Sequence, residues 1–162
     1  MKHLTLAEAR RWCIEAHGDQ KYGDKPYEFH LNAVEQVAIR FGFTDDLTRM
    51  KCLGHDVLED TDRDENDMLE AGFPAEVVED ISLVSDEEGT TRKERKEKTL
   101  AKIKTKRSAI KLKLCDRIAN VENGEKVAMY RKEHRRFEAV LRDPADKELE
   151  PLWLHLEVLF HG

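Results

Sequence analysis

Residues Ser108–Val121 read SAIKLKLCDRIANV, and this stretch decides the kind of fold the chain adopts. Ile110, Leu112, Leu114, Ile118 and Val121 set an apolar face at helical spacing, and Ser108 stands where a cap is favoured, so the segment predicts a core helix opened by that serine. Asp116 lies inside the apolar run, among Leu112, Leu114, Cys115, Ile118 and Ala119. An ionised carboxylate in such surroundings costs several kcal/mol (about 2–5) of desolvation unless a metal or a cation compensates. The stretch therefore predicts a buried charge in need of a partner, either a metal ion or an arginine such as Arg117.

The same helical periodicity recurs on both sides. Thr5 and Glu8 form a capping box for a helix through about His17, burying Leu6, Ala9, Trp12 or Cys13, and Ala16, with Gly18 as its stop. GDQKYGDKPY is a loop broken by Gly23 and Pro26. A second helix carries Leu31, Val34, Val37, Ala38 and Phe41 and ends at Gly42. A third, capped by Thr44 or Asp45, runs through Leu47, Met50, Leu53 and Val57. Shorter helices follow over Glu65–Ala71 and from Pro74 to about Val84. Thr90–Lys106 reads as a highly charged exposed helix or partly ordered arm, touching the core only through Leu100 and Ile103. Helices over about Glu125–Leu141 and Asp146–Phe160 complete the pattern. No alternating run bounded by turn residues suggests a strand, so the fold class is all-α.

A chain of 162 residues has the length of one domain, enough to bury about two-thirds of its unfolded surface. Cys13, Cys52 and Cys115 are an odd number in apolar helical surroundings with no CxxC spacing, which argues for core thiols in a reducing compartment. No segment has the length and apolarity of a signal peptide core or a membrane span, so the expected location is cytoplasmic. The formal net charge is −6, but its distribution says more. Acids dominate between Asp45 and Glu88, whereas between Arg92 and Lys113 eleven lysines and arginines are interrupted only by Glu94 and Glu97. An acidic cluster suits a divalent cation, and a basic segment facing it suits substrate phosphates.

The chemistry centres on HDVLEDT, residues 55–61. His55 and Asp56 are adjacent, and an imidazole with a carboxylate suits manganese, iron, zinc or magnesium rather than a thiophilic metal. Glu59 and Asp60 follow one helical turn later and border the same site. Further ligands are available in His30, just before the second helix, and in Asp116.

Taken together, His30, His55, Asp56 and Asp116 resemble the ordered signature of the HD-domain phosphohydrolases. Three blocks carry a closer likeness to the hydrolase domains of RelA/SpoT enzymes and to small alarmone hydrolases: AHGDQKYGDKPYEFH, HDVLEDT and IKLKLCDRIANV. The resemblance implies a single HD domain over residues 1–162, a bundle of about eight to nine helices. It implies a metal centre at those four residues, usually holding manganese (Mn2+), and hydrolysis of the 3′-pyrophosphate of guanosine tetra- or pentaphosphate to pyrophosphate and GDP or GTP. Glu59 and Asp60 carry over as general acid/base and water-orienting groups, and Asn120 and Lys21 as nucleotide contacts. Tyr130 and Lys132 lie on the helix expected to face the pocket. The chain departs from the family at Lys21–Tyr27, where the loop is shorter and the base-stacking arginine has no counterpart; Tyr22 or Lys25 would take its place. The partner implied is a small nucleotide, with no nucleic acid and no membrane expected, and monomer and homo-oligomer both stay open. Two other readings remain: the same site acting on another nucleotide phosphate, and a non-enzymatic module binding RNA or protein through its basic segment. Against the latter stand the acidic total and the absence of interleaved aromatics.

Overall fold

A computed structural model describes residues 2–162. Among them it contains ten helices and one two-stranded hairpin: α1 (Leu6–His17), β1 (Lys21–Tyr22), β2 (Lys25–Pro26), α2 (Glu28–Arg40), α3 (Asp46–Gly54), α4 (Val57–Asp60), α5 (Glu65–Ala71), α6 (Ala75–Val84), α7 (Arg92–Ile103), α8 (Arg107–Glu122), α9 (Val127–Leu141) and α10 (Glu150–His161). The all-α reading holds. None of these helices is long and apolar enough to cross a membrane.

Local signals set most of the boundaries. The Thr5–Glu8 capping box opens α1, and Gly18 closes it at φ 54°. Asp45 caps α3 by accepting from the Thr48 amide, Asp64 and Asp67 form a second capping box at α5, and Thr91 caps α7. Three expectations need correction. The loop after Gly18 contains the antiparallel pairs Lys21 with Pro26 and Tyr22 with Lys25. Ser108 caps nothing; α8 starts from Lys106 without a side-chain cap. The helix expected to run through Val57 stops at Gly54, and the chain restarts in the one-turn α4, which is why ten helices appear where eight to nine were expected.

The core has two parts. One gathers α1, α3, α5 and α6 around Leu31, Leu53, Met68 and Ile81; the other gathers α7, α9 and α10 around α8, with Leu112, Leu114, Ile118, Phe137 and Trp153. α8 is buried on every side from Leu114 to Val121, as befits a helix at the centre of a bundle. The charged segment read as an exposed helix or arm is an ordered helix, with Thr99, Leu100 and Ile103 buried and Arg92 and Glu97 paired to Glu133 and Arg136 of α9.

Candidate metal centre and catalytic cavity

His55 and Asp56 occupy the break between α3 and α4. The His55 Nδ1 lies 2.7 Å from the Cys52 carbonyl oxygen, the acceptor that a continuing helix would offer to the Asp56 amide. The side chain thus competes with the helix ladder, and the chain turns there. Gly54 permits the close packing, since a Cβ at that position would sit 2.8 Å from Ile81 Cδ1. That Nδ1–H donates to the carbonyl also fixes the neutral tautomer and leaves the Nε2 lone pair free, an arrangement common to metal-bound imidazoles.

Four donor atoms converge on this break along the seam between the two cores. His30, in the first turn of α2, brings Nε2 to 3.2 Å from His55 Nε2. Asp56 Oδ2 lies 3.0 Å from His55 Nε2 and 3.6 Å from His30 Nε2. Asp116 Oδ1, from α8, lies 3.1 Å from His30 Nε2 and 3.2 Å from His55 Nε2. Neighbouring ligands of an ion with bonds of about 2.1–2.5 Å stand about 3.0–3.5 Å apart, so the spacing of the donors fits a divalent cation. His30, His55 and Asp56 each bring one ligand atom to within 4.8 Å of the others.

The electrostatics agree. Burial opposes charge on His55, but Asp56 and Asp116 override it and raise the imidazole pKa well above its ordinary value: the site demands a positive charge, which a divalent ion supplies as well as a proton does. Burial also works against the Asp56 carboxylate, yet His55 holds it down at about 2. Asp116, again against burial, is held well below the usual carboxylate range by Lys113 and His55. Its remaining contacts are the Lys113 ammonium at 3.2 Å and the Asn120 amide at 3.1 Å. Arg117, the alternative partner, points elsewhere.

His30, Asp56 and Asp116 line a cavity of about 400 Å3. Glu59 and Asp60 stand on its wall with Lys21, Tyr22, Asn120 and Tyr130. Although Glu59 reaches water, crowding by the walls and the nearby Asp56 and Asp86 carboxylates raise its pKa to about 7. Asp60 is raised by burial and by Asp56, and accepts from Tyr27 at 3.2 Å and Gln20 at 3.4 Å. The Tyr22 ring stacks on His30, centroids 4.5 Å apart and 9° from parallel, and its hydroxyl donates to Asn120 at 2.7 Å. Two of the residues expected on the nucleotide thus bond to each other. Lys25 and Lys132 are not on this wall: Lys25 lies over the Phe29 ring, and Lys132 lines an adjoining cavity.

Sequence reasoning missed several wall residues. Tyr27 donates to Asp56 Oδ2 at 2.5 Å and orients that carboxylate; the PY of the first block was its one visible trace. Arg92, Lys96 and Lys113 face the acidic side, as the charge asymmetry suggested without singling them out. Lys126 also lines the cavity, and it is the one non-glycine residue at positive φ among the described residues, 51°.

No family model and no curated protein matches this chain. A solved structure does: that of a metazoan ortholog of SpoT that hydrolyses ppGpp and plays a role in starvation responses, with a TM-score of 0.78 over 99% of this chain and 97% of that one, at 22% identity. The two share a fold. The likeness extends over nearly the whole of both chains.

Proposed function

We propose that this protein is a divalent-metal-dependent phosphohydrolase that removes the 3′-pyrophosphate of guanosine tetra- and pentaphosphate, releasing pyrophosphate and GDP or GTP. The observation that carries the reading is the convergence of two imidazole nitrogens and two carboxylates beside a cavity that Lys21, Arg92, Lys96, Lys113 and Lys126 also line. The shared fold with a ppGpp-hydrolysing protein supports it.

His30, His55, Asp56 and Asp116 would hold the ion, for which manganese is our choice; when bound, it supplies a Lewis acid for a phosphoryl oxygen and lowers the pKa of water. Lys21, Arg92, Lys96 and Lys113 meet the phosphate charges. Glu59, near neutrality in pKa, takes the proton of the attacking water, and Asp60, held by Tyr27 and Gln20, orients that water. Asn120 and Tyr130 bound the nucleoside side.

One observation favours a second reading. Because the Tyr22 ring already covers His30, it is not free as a base platform, so the same centre could serve another nucleotide phosphate. A panel settles between them: guanosine tetraphosphate, deoxynucleoside triphosphates and nicotinamide dinucleotide phosphate, each with manganese, with pyrophosphate and phosphate release measured. The leading reading requires pyrophosphate and GDP from the tetraphosphate, lost in Asp56→Asn. Turnover of another member alone supports the second, and turnover of none defeats both.

A further inference from the structure

Beyond the Lys96 and Lys113 side chains lies a second cavity, of about 500 Å3, lined by residues of α7, α8 and α9. Leu100, Ile103, Met129 and Phe137 give it a largely apolar wall. Its charges do not balance. Each of its carboxylates already holds a cation: Asp86 holds Lys96 at 2.7 Å, Glu97 holds Arg136 at 2.8 Å, and Glu133 holds Arg92 at 2.9 Å. Lys93, Lys132 and Arg117 line the cavity as well, and no described carboxylate comes within 4.0 Å of them.

Arg117 is the most telling of the three. It is 4% exposed, its guanidinium lies 4.1 Å from the Phe137 centroid and 4.3 Å from that of Tyr130, and its Nη1 is buried without a hydrogen-bond partner. Aromatic faces satisfy the plane of a guanidinium but not its N–H donors, which point outward in that plane. A buried cation with an idle donor, on a cavity whose lining cations outnumber its carboxylates, calls for an anion.

We propose that this cavity binds an organic anion with an apolar body, the body lying against Leu100, Ile103, Met129 and Phe137 and its phosphate or carboxylate pairing with Arg117 and Lys132. The site adjoins the metal-centre cavity, sharing Asp86, Arg92, Lys96 and Lys113 with it, and its assignment does not depend on the reaction proposed there. Its occupant would rest against the Lys96–Asp86 ion pair, which lines both cavities.

The test uses the metal-free full chain and 8-anilinonaphthalene-1-sulfonate, an aromatic anion whose fluorescence rises in apolar surroundings. One probe should bind per chain, and 1-naphthyl phosphate or 1-naphthoate should displace it, the stronger competitor identifying the preferred head group. Met129→Trp, which fills the cavity, and Arg117→Met should each weaken binding by about tenfold or more, the scale of one charge-assisted hydrogen bond. Lys21→Ala, on the catalytic wall, should leave probe binding unchanged. Unfolding midpoints establish that each variant is folded, and Lys93→Glu at the rim replaces Arg117→Met if that chain does not fold. Binding that survives the cavity variants, that falls with Lys21→Ala instead, or that neither naphthyl anion displaces would overturn the assignment.

Discussion

Tyr27 touches two carboxylates of the site, Asp56 and Asp60, and its own position comes from stacking on His17 at 4.5 Å. Tyr27→Phe keeps that stacking and removes only the donor. Groups that orient metal ligands are worth about 10–100-fold in metal affinity, so manganese binding measured by calorimetry should weaken by that factor while the unfolding midpoint hardly moves. Lys126 gives the opposite signature. Its left-handed backbone costs about 1 kcal/mol that glycine would not pay, so Lys126→Gly should unfold at a slightly higher temperature. If its side chain meets phosphate, KM for the nucleotide should rise as well. At this scale the sequence was legible where chemistry clashed with surroundings, as at Asp116. His30 was recognisable through family likeness, since nothing in its neighbours marks it. Tyr27 and Lys126 were opaque, because one acts across a 29-residue separation and the other through a backbone angle.

Among the elements, α6 is tied to α3 and to the start of α8 by a buried charge. Asp80, 0% exposed, lies 2.9 Å from the Lys51 ammonium and 2.8 Å from that of Lys106. Burial pushes its pKa up, but hydrogen bonds from Lys106 and Lys51 more than offset this and hold it below the ordinary value. A carboxyl whose folded pKa is depressed stabilises fully above its unfolded pKa, about 3.9, and loses that contribution as pH falls through the folded value. Asp80→Asn should therefore lower stability at pH 7, by about 1–3 kcal/mol because Lys51 keeps Glu76 at 3.1 Å and Lys106 keeps Glu79 at 3.4 Å, and flatten the loss of stability below about pH 4. Denaturant titrations at pH 7 and pH 3 check both. Helix starts at Thr5 and Asp45 were readable because the cap lies beside the element it opens. The break after Gly54 was not, because it depends on the His55 ring taking a backbone acceptor and on Ile81 filling the space beside Gly54. Ser108 misled for a related reason: the helix opens two residues earlier, at Lys106, whose ammonium pairs with Asp80 of α6 at 2.8 Å.

For the whole molecule, the donors join α2, the α3–α4 break and α8, so an ion bound there would cross-link both halves of the core. Ligand binding to the folded state alone adds RT ln(1 + [L]/Kd), about 2.7 kcal/mol at a hundredfold excess over Kd. For a chain of this size that corresponds to roughly 5–10 °C in unfolding temperature. Calorimetry should show this rise with manganese and its reversal by a chelator; an unchanged midpoint at saturating manganese would count against a centre at the seam. Fold class was legible throughout because helical periodicity is a property of the chain itself. The meeting of acidic and basic faces showed in composition only as an asymmetry, since which lysines face the cavity is decided by how α7 packs on α8 and α9.

The four-ligand centre is tested most directly by anomalous diffraction at the manganese edge from crystals of the manganese-loaded protein. The predicted result is one strong peak within about 2.0–2.5 Å of His30 Nε2, His55 Nε2 and an oxygen of each of Asp56 and Asp116. A peak elsewhere, or one that His30 or Asp116 does not reach, would contradict it.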